Sequence, residues 1–206
     1  MVPLQQRGGY RRWYGNNEYV VNWENDGSEI RRVSNEKYPY LKGNLDNVLG
    51  GQEEFFRPGI TWSAVTAGVM SMRYFPPGSL FGSTGQSLFP SEDALTLPLL
   101  GFLNSIVASR LIEAMASTLH YNAGMVADLP LLDAFDSDTG NVAKSCIQIS
   151  RESWDRLEAS WDFRSLPIVT ASSDSSPTLE SRYTAWVTRN RQTIAEMKRL
   201  EEENNR

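Results

Sequence analysis

Arginines interleaved with aromatic and short polar residues are the side chains of this sequence with the clearest chemical use. In protein–DNA complexes arginine reads guanine through two hydrogen bonds, asparagine and glutamine read adenine, and serine and threonine bind phosphate. The candidate DNA contacts are Arg11, Arg12, Asn16, Asn17, Arg31, Arg32, Arg57, Thr61, Trp62, Ser63, Arg73, Ser83 and Thr84. Arg57 and Arg73 are the strongest candidates because each is predicted at a strand end beside a turn. Composition alone favours an ordinary protein surface over a DNA-reading one.

No catalytic constellation can be recognised in the sequence. It has no GxGxxG or Walker A loop for phosphates and no GxSxG nucleophile turn. Its one histidine, His120, is expected to be an ordinary loop or helix-end residue rather than a general base, and its one cysteine, Cys146, is expected to be a buried apolar residue. A single residue of each type excludes a disulfide framework, a Cys-rich zinc site and an HExxH metal site. No metal site and no catalytic residue are therefore predicted.

Composition and charge narrow the class of protein further. The chain has 206 residues, of which 40% are hydrophobic, enough for a folded core of one or two small domains. Residues 1–90 carry a formal charge of +1 and residues 91–206 carry −6, so the first part is the better candidate for contact with a polyanion. No apolar segment approaches the roughly 20 residues that cross a bilayer, and the N-terminus is not of signal-peptide type. These features predict a cytoplasmic chain without membrane contact.

The elements that must position these residues are strands in the first part of the chain. Residues 19–21 and 23 are typical of a short strand, the Asn-Asp-Gly turn at 25–27 predicts a hairpin, and residues 30–33 are expected to form its return strand. A loop with one short helix is expected over 34–54. Further short strands are predicted near 60–63, 72–75 and 87–89, with a flexible segment at 82–85.

Helices are predicted in the second part. Apolar residues at helical spacing indicate one helix over 91–119, with Ser91 as its N-cap, followed by a loop and an extended segment over 121–132. The acidic, small residues 133–145 are typical of a linker. A helix capped by Ser150 is predicted to run to Phe163, and a second one begins near Leu179. The two are expected to pair antiparallel, with Trp161 near Tyr183 or Trp186.

Five segments in a fixed order carry a resemblance to a known family. They are RRWYGNNEYVVNWENDG at 11–27, FFRPGITWS at 55–63, LPLLGFLNSIVASRL at 97–111, ADLPLL at 127–132 and ISRESWDRLEASWDF at 149–163. The series resembles the C-terminal part of the adenine-specific DNA methyltransferases of BREX phage-exclusion systems. It is more distantly similar to the target-recognition regions of Type I and Type II restriction-modification enzymes. The S-adenosylmethionine-binding and Asn/Asp-Pro-Pro-Tyr/Phe motifs of the family are absent.

The resemblance implies an α+β fold and a role in DNA recognition. It implies a mixed-sheet DNA target-recognition domain with a packed helix over 1–135, a linker over 136–148 and a helical spacer over 149–206. It further implies a module that reads double-stranded DNA for an attached upstream methyltransferase domain. That domain would bind S-adenosylmethionine, and this chain would hold no cofactor and not be active alone. The alternative is a protein-interaction module that docks to other phage-defence proteins.

Overall fold

The computed structural model describes residues 1–46, 48–66, 68–82, 84–116, 119–131, 137–171 and 176–206. It has an α+β fold, as expected. The strands are β1 (Val2–Gln5), β2 (Tyr19–Val21), β3 (Gly59–Ser63), β4 (Arg73–Phe75), β5 (Leu80–Phe81) and β6 (Gly85–Leu88). The α-helices are α1 (Glu24–Lys37), α2 (Thr96–Leu103), α3 (Ile106–Met115), α4 (Ala123–Ala127), α5 (Ser137–Trp154) and α6 (Leu179–Glu203). Single 3₁₀ turns occur at Pro39–Leu41, Gln52–Glu54 and Asp93–Leu95.

The strands form two small sheets that lie close together. One has the order β2-β1-β5, in which β1 pairs antiparallel with β2 and parallel with β5, and the other is antiparallel with the order β4-β3-β6. The sheets touch where Gly85 begins β6, since a Cβ there would lie 2.6 Å from the carbonyl oxygen of Gln5. Glycine is therefore required at this crossing. Strands predicted near 19–21, 60–63, 72–75 and 87–89 are confirmed within a residue or two.

The predicted hairpin over 19–33 is wrong. Residues Asn25, Asp26 and Gly27 do adopt positive φ angles, of 50°, 55° and 69°, but the chain then enters the helical part of α1 instead of a return strand. Apolar residues three apart, such as Ile30 and Val33, fit a helix as well as a strand. Ion pairs between residues four or five positions apart favour the helix here.

The single helix expected over 91–119 is two helices. The two helices are bent by 74° at residues 104 and 105. The bend is held by the Asn104 side chain, which accepts from the backbone N–H of Met72 and donates to the backbone carbonyl of Met72, both at 3.0 Å. Ser105 then caps α3 by accepting from the Ala108 amide, so Ser91 is not the cap of a long helix. The predicted loop at 121–132 contains α4, capped by Asn122, while Leu132 lies outside the described residues.

The residues expected to be a linker are instead helical from Ser137, and 133–136 lie outside the described residues. Small residues here let α5 approach α2, since a Cβ at Gly140 would lie 3.4 Å from the Pro98 ring, and Ala143 is fully buried. Their small size therefore indicates close helix packing rather than flexibility. Helix α5 ends at Trp154, earlier than the predicted end at Phe163, and turns follow from Asp155 onward.

Helices α5 and α6 pack antiparallel. Arg156, just after the end of α5, donates to Asn190 in the middle of α6, whereas Cys146, earlier in α5, shares a core cluster with Leu200 near the end of α6. The helix predicted from Leu179 is confirmed. Trp186 lines a cavity with Leu157 and Ile168, whereas Trp161 is 59% exposed and lines a different cavity with Pro3, Pro76 and Trp154.

Within the described ranges, no single helix has both the length and the apolarity to cross a membrane. Only α2 with its preceding 3₁₀ turn, joined to α3 across the bend, meets those criteria, and most of α2 is buried in the core.

Candidate nucleic-acid interface

The segment Gln6–Tyr10, here called the N-terminal loop, lies over the ends of β3 and β6. The Gly8 amide donates to Ser63 Oγ, and Ser63 Oγ donates back to the Gly8 carbonyl, both at 3.2 Å. Thr84 Oγ1 donates to the side-chain oxygen of Gln6. Ser63 and Thr84, both predicted as DNA contacts, are thus brought together, and both fasten the loop.

The buried side chain of Asn16 also holds the N-terminal loop in place. This side chain donates from Nδ2 to the Gly9 carbonyl at 2.8 Å, and the Asn16 backbone has φ = 62°. A Cβ at Gly8 would lie 2.5 Å from Asn16 Cγ, so the loop backbone rests directly on this side chain. Asparagine tolerates the left-handed region better than most residues, which suits it to this position.

The tip of the N-terminal loop presents Arg7 and Tyr10 to solvent. Tyr10 is 61% exposed, and Arg7 is exposed with no ion pair to any described residue. A cation and an aromatic ring on a fixed loop can pair with a phosphate or a base edge and stack on a base. Sequence reasoning missed both residues. The signal that could have found them is the absence of any Asp or Glu before Glu18.

The arginines around α1 are neutralised by acids near them in sequence. Arg31 pairs with Asp26 at 3.2 Å, and Arg32 pairs with Glu36 at 2.7 Å. Arg57 pairs with Glu54 and lies 3.6 Å from an Asp93 oxygen, and it also donates to the Pro90 carbonyl. Within the part of the chain that the structure describes, no hydrogen bond or ion pair joins these three arginines to the N-terminal loop.

Arg11 and Arg12 point toward the helical pair. The Arg11 guanidinium lies over the Trp154 ring, 4.6 Å from its centre, and burial lowers the pKa of Arg11. Arg12 Nη1 lies 3.4 Å from Glu201 Oε1, the oxygen that also accepts from Trp13 Nε1 at 2.9 Å. These bonds fasten the segment after the loop to the C-terminal end of α6.

Several predicted contacts lie inside the fold. Thr61 and Trp62 are buried and donate to the backbone oxygens of Gln86 and Tyr121, at 2.8 and 2.9 Å. Arg73 is 1% exposed. Asn17 is partly buried, and Ser83 lies outside the described residues. In this conformation none of the three buried side chains reaches a surface, and the hydrogen bonds of Thr61 and Trp62 stabilise the sheets.

Two observations bear on the residues with catalytic potential. Cys146 is fully buried, as predicted, and burial raises the pKa of its thiol to about 12, which disfavours the nucleophilic thiolate. Within the described ranges no group of three or more His, Cys, Asp or Glu side chains is arranged to hold a metal ion.

Comparison with known proteins identifies similarity to two methyltransferases. The chain is 34% identical over 206 residues to "Adenine-specific methyltransferase PglX" of Lacticaseibacillus casei (strain Zhang), a match that covers 99% of this chain and 17% of that protein. It is 33% identical over 163 residues to "Adenine-specific methyltransferase BrxX" of Escherichia coli O9:H4 (strain HS), covering 78% of this chain and 12% of that protein. No protein-family model matches the chain.

The chain therefore spans less than one fifth of the length of either relative. The matches confirm the relationship to BREX-type adenine-specific methyltransferases that the sequence segments indicated. Nearly the whole of this α+β chain is homologous to part of one of these enzymes and 78% of it to part of the other, which relates the chain to the BREX-type adenine-specific methyltransferases.

Proposed function

We propose that this chain is the DNA sequence-recognition module of an adenine-specific methyltransferase in a phage-defence system. The observation that carries the proposal is the match of 99% of the chain to a single part of a much longer adenine-specific methyltransferase. In that reading the remaining part of the enzyme binds S-adenosylmethionine and transfers the methyl group. Double-stranded DNA and the methyltransferase domain are the partners, and the reaction takes place in the cytoplasm.

The N-terminal loop is the best-supported contact surface for DNA. Arg7 and Tyr10 are exposed, and hydrogen bonds from Ser63 and Asn16 hold the loop backbone in place. A recognition loop must be held in this way because a mobile arginine would lose much of its binding free energy to ordering. In our proposal Arg7 reads a base edge, Tyr10 stacks or packs against the backbone, and Thr84 and Ser63 act through the loop.

The helical pair acts as a spacer in this proposal. The Arg12 and Trp13 side chains are joined to Glu201 of α6, so the loop is fixed to the helices as well as to the sheets. Such a connection would transmit the position of the methyltransferase domain to the loop that reads DNA. We retain the division into a recognition region over 1–135 and a spacer over 149–206 as part of the proposal.

A segment exchange tests recognition directly. The homologous segment of the L. casei methyltransferase is replaced by this chain, and methylated adenines are mapped in host DNA. We expect the methylated sequence to change from that of the parent enzyme to a new one. The matched control carries Arg7→Ala and Tyr10→Ala in the exchanged segment, which should abolish or relax the new sequence preference. An active chimera that still methylates the parent's sites would overturn the proposal.

The same experiment addresses the protein-docking alternative. That alternative is favoured by a 390 Å³ cavity at the α5–α6 pair whose walls include the apolar side chains of Leu157, Leu166 and Trp186. A docking module predicts an active chimera with unchanged methylation sites. It also predicts a protein partner that stays bound at high salt in the absence of DNA, where electrostatic DNA contacts are lost.

A further inference from the structure

Arg73 is a buried cation without a counter-ion. It lies on β4 opposite Thr61, and its side chain is 1% exposed. Its Nε, Nη1 and Nη2 atoms make no hydrogen bond within the part of the chain that the structure describes. Buried guanidinium groups are ordinarily paired with carboxylates or carbonyls, because removing an unpaired charge from water costs several kcal/mol. An unpaired arginine in the fold therefore requires an explanation.

The charge that acts on Arg73 is a second cation. Burial and the nearby Arg11 guanidinium together lower the pKa of Arg73 to about 10. Glu18 acts on Arg11 but forms no ion pair with it among the described residues. The bridge between Trp13 and Arg73 brings the segment that carries Arg11 alongside β4, and within the described ranges no carboxylate forms an ion pair with Arg11 or Arg73. The missing partner is an anion.

A cavity gives an anion access to Arg11. It has a volume of 300 Å³ and lies between the segment after the N-terminal loop and the α5–α6 pair. Its lining includes Arg11 and Arg12 and three hydroxyl-bearing residues of the helices, Ser150, Ser153 and Thr193, and aromatic and aliphatic side chains complete it. Arg12 Nε is buried without a hydrogen-bond partner among the described residues. Guanidinium and hydroxyl groups gathered at one cavity are donors that can bind phosphate.

We propose that this cavity binds a phosphate group, which pairs with Arg11 and offsets the charge of the buried Arg73. The assignment of that phosphate to the DNA backbone rests on the proposed function, whereas a free phosphate would use the same donors. The cavity adjoins Tyr10 of the N-terminal loop, so a phosphate held here would fix the register of the loop along the duplex. Arg11 makes the direct contact, and Arg73 contributes its field from the interior, where screening by salt is weak.

Thermal unfolding of the full chain measures the site without any methyltransferase activity. Sodium phosphate is titrated against sodium chloride at equal ionic strength and pH, and a phosphate-specific rise in Tm of several degrees is expected. Arg11→Gln should reduce that gain and raise the apparent phosphate Kd by about tenfold. Arg73→Met should raise Tm by about 2–4 °C in phosphate-free buffer, because it removes the unpaired charge, and should also reduce the phosphate gain.

Arg32→Gln is the matched control, since Arg32 is exposed and already paired with Glu36. The proposal is overturned if phosphate and chloride give equal Tm values for the unaltered chain, or if Arg11→Gln retains the full gain. Arg11→Gln decides the matter if Arg73→Met does not fold. Competition by a DNA duplex assigns the phosphate to the DNA backbone, and lack of competition overturns that assignment. Loss of the phosphate site leaves the segment-exchange result intact, so the two proposals fail separately.

Discussion

Two arginine-bearing regions of this chain differ in where their compensating acids lie. Around α1 each arginine has an acid nearby in sequence, as in Arg32–Glu36, and its charge is satisfied by local ion pairs. In residues 1–17 there are three arginines and no acid. Of these, Arg7 is exposed and Arg11 stacks on Trp154. Arg12 forms an ion pair with Glu201, near the C-terminal end of the chain.

The difference separates cations that have a structural partner from cations that are available to a ligand. A local ion pair on a helix surface contributes little to stability, yet it lowers the positive potential that attracts a polyanion. Positive charge without nearby acids is therefore more informative about DNA binding than the count of arginines. The N-terminal loop and α1 can be compared experimentally on this basis.

The largest effect is expected from removing α6, whose residue Glu201 binds Arg12 and Trp13 of the N-terminal segment. Deleting residues 176–206 removes Leu200 and Met197 from the core and Glu201 from Trp13 and Arg12. Because truncating each such apolar side chain costs about 2–5 kcal/mol, the loss should approach the whole free energy of unfolding. Thermal unfolding monitored by tryptophan fluorescence measures it. An unchanged Tm would mean that α6 does not pack on this core, and an internal control is Leu200→Ala, which should cost part of the same amount.

Binding to duplex DNA should separate the two regions next. Arg7→Ala is expected to weaken binding by about 1–3 kcal/mol, and Tyr10→Ala by a similar amount, because both side chains are exposed and uncommitted. Arg32→Ala, which removes a cation already paired with Glu36, should have little effect. Fluorescence anisotropy over a salt series gives both the affinity and the salt slope. Equal losses for Arg7→Ala and Arg32→Ala would remove the distinction between the regions.

A smaller effect on stability is expected from removing the hydrogen bond between Trp13 and Glu201, which joins the N-terminal segment to α6. Glu201→Ala leaves the buried Trp13 Nε1 without an acceptor and should cost about 1–2 kcal/mol. Glu201→Gln keeps an acceptor oxygen and should cost less. Urea unfolding provides the comparison, with Glu202→Ala as a control because Glu202 is exposed and lies 3.8 Å from Lys198. Should Glu201→Ala and Glu202→Ala cost the same, the Trp13 hydrogen bond contributes nothing measurable.

Much of this fold could be predicted from local sequence, and the exceptions share a cause. Strand β3 and helix α6 follow from residue type and periodicity, which act over a few neighbours. The break at Asn104 could not be predicted, because the side chain that bends the chain is satisfied by Met72, 32 residues away. The start of α5 was missed for a similar reason, since the small residues that resemble a linker pack on α2.

The candidate site was predictable only in part for the same reason. Sequence reasoning selected residue types that contact DNA and included Ser63 and Thr84, which do meet at one loop. It also selected Trp62 and Arg73, because a strand pattern identifies alternation but not which faces the rest of the fold covers, and Trp62 is buried among helical residues. Arg7 was passed over because its value depends on acids that are absent nearby.

The smallest expected effect is also the sharpest comparison, because it adds to the N-terminal loop the acid that α1 already has. Gly9 is the position for this change, since a Cβ there meets nothing within 4 Å. Gly9→Asp places a carboxylate two residues from both Arg7 and Arg11, whereas Gly9→Asn has nearly the same shape and no charge. Both variants should unfold at similar temperatures, because the Asn16 bond to residue 9 uses the backbone carbonyl. Relative to Gly9→Asn, Gly9→Asp should weaken DNA binding by about 0.3–1 kcal/mol at low salt and by less at high salt. Equal affinities for the two variants at low salt would mean that freedom from local acids is not what makes this loop a DNA contact.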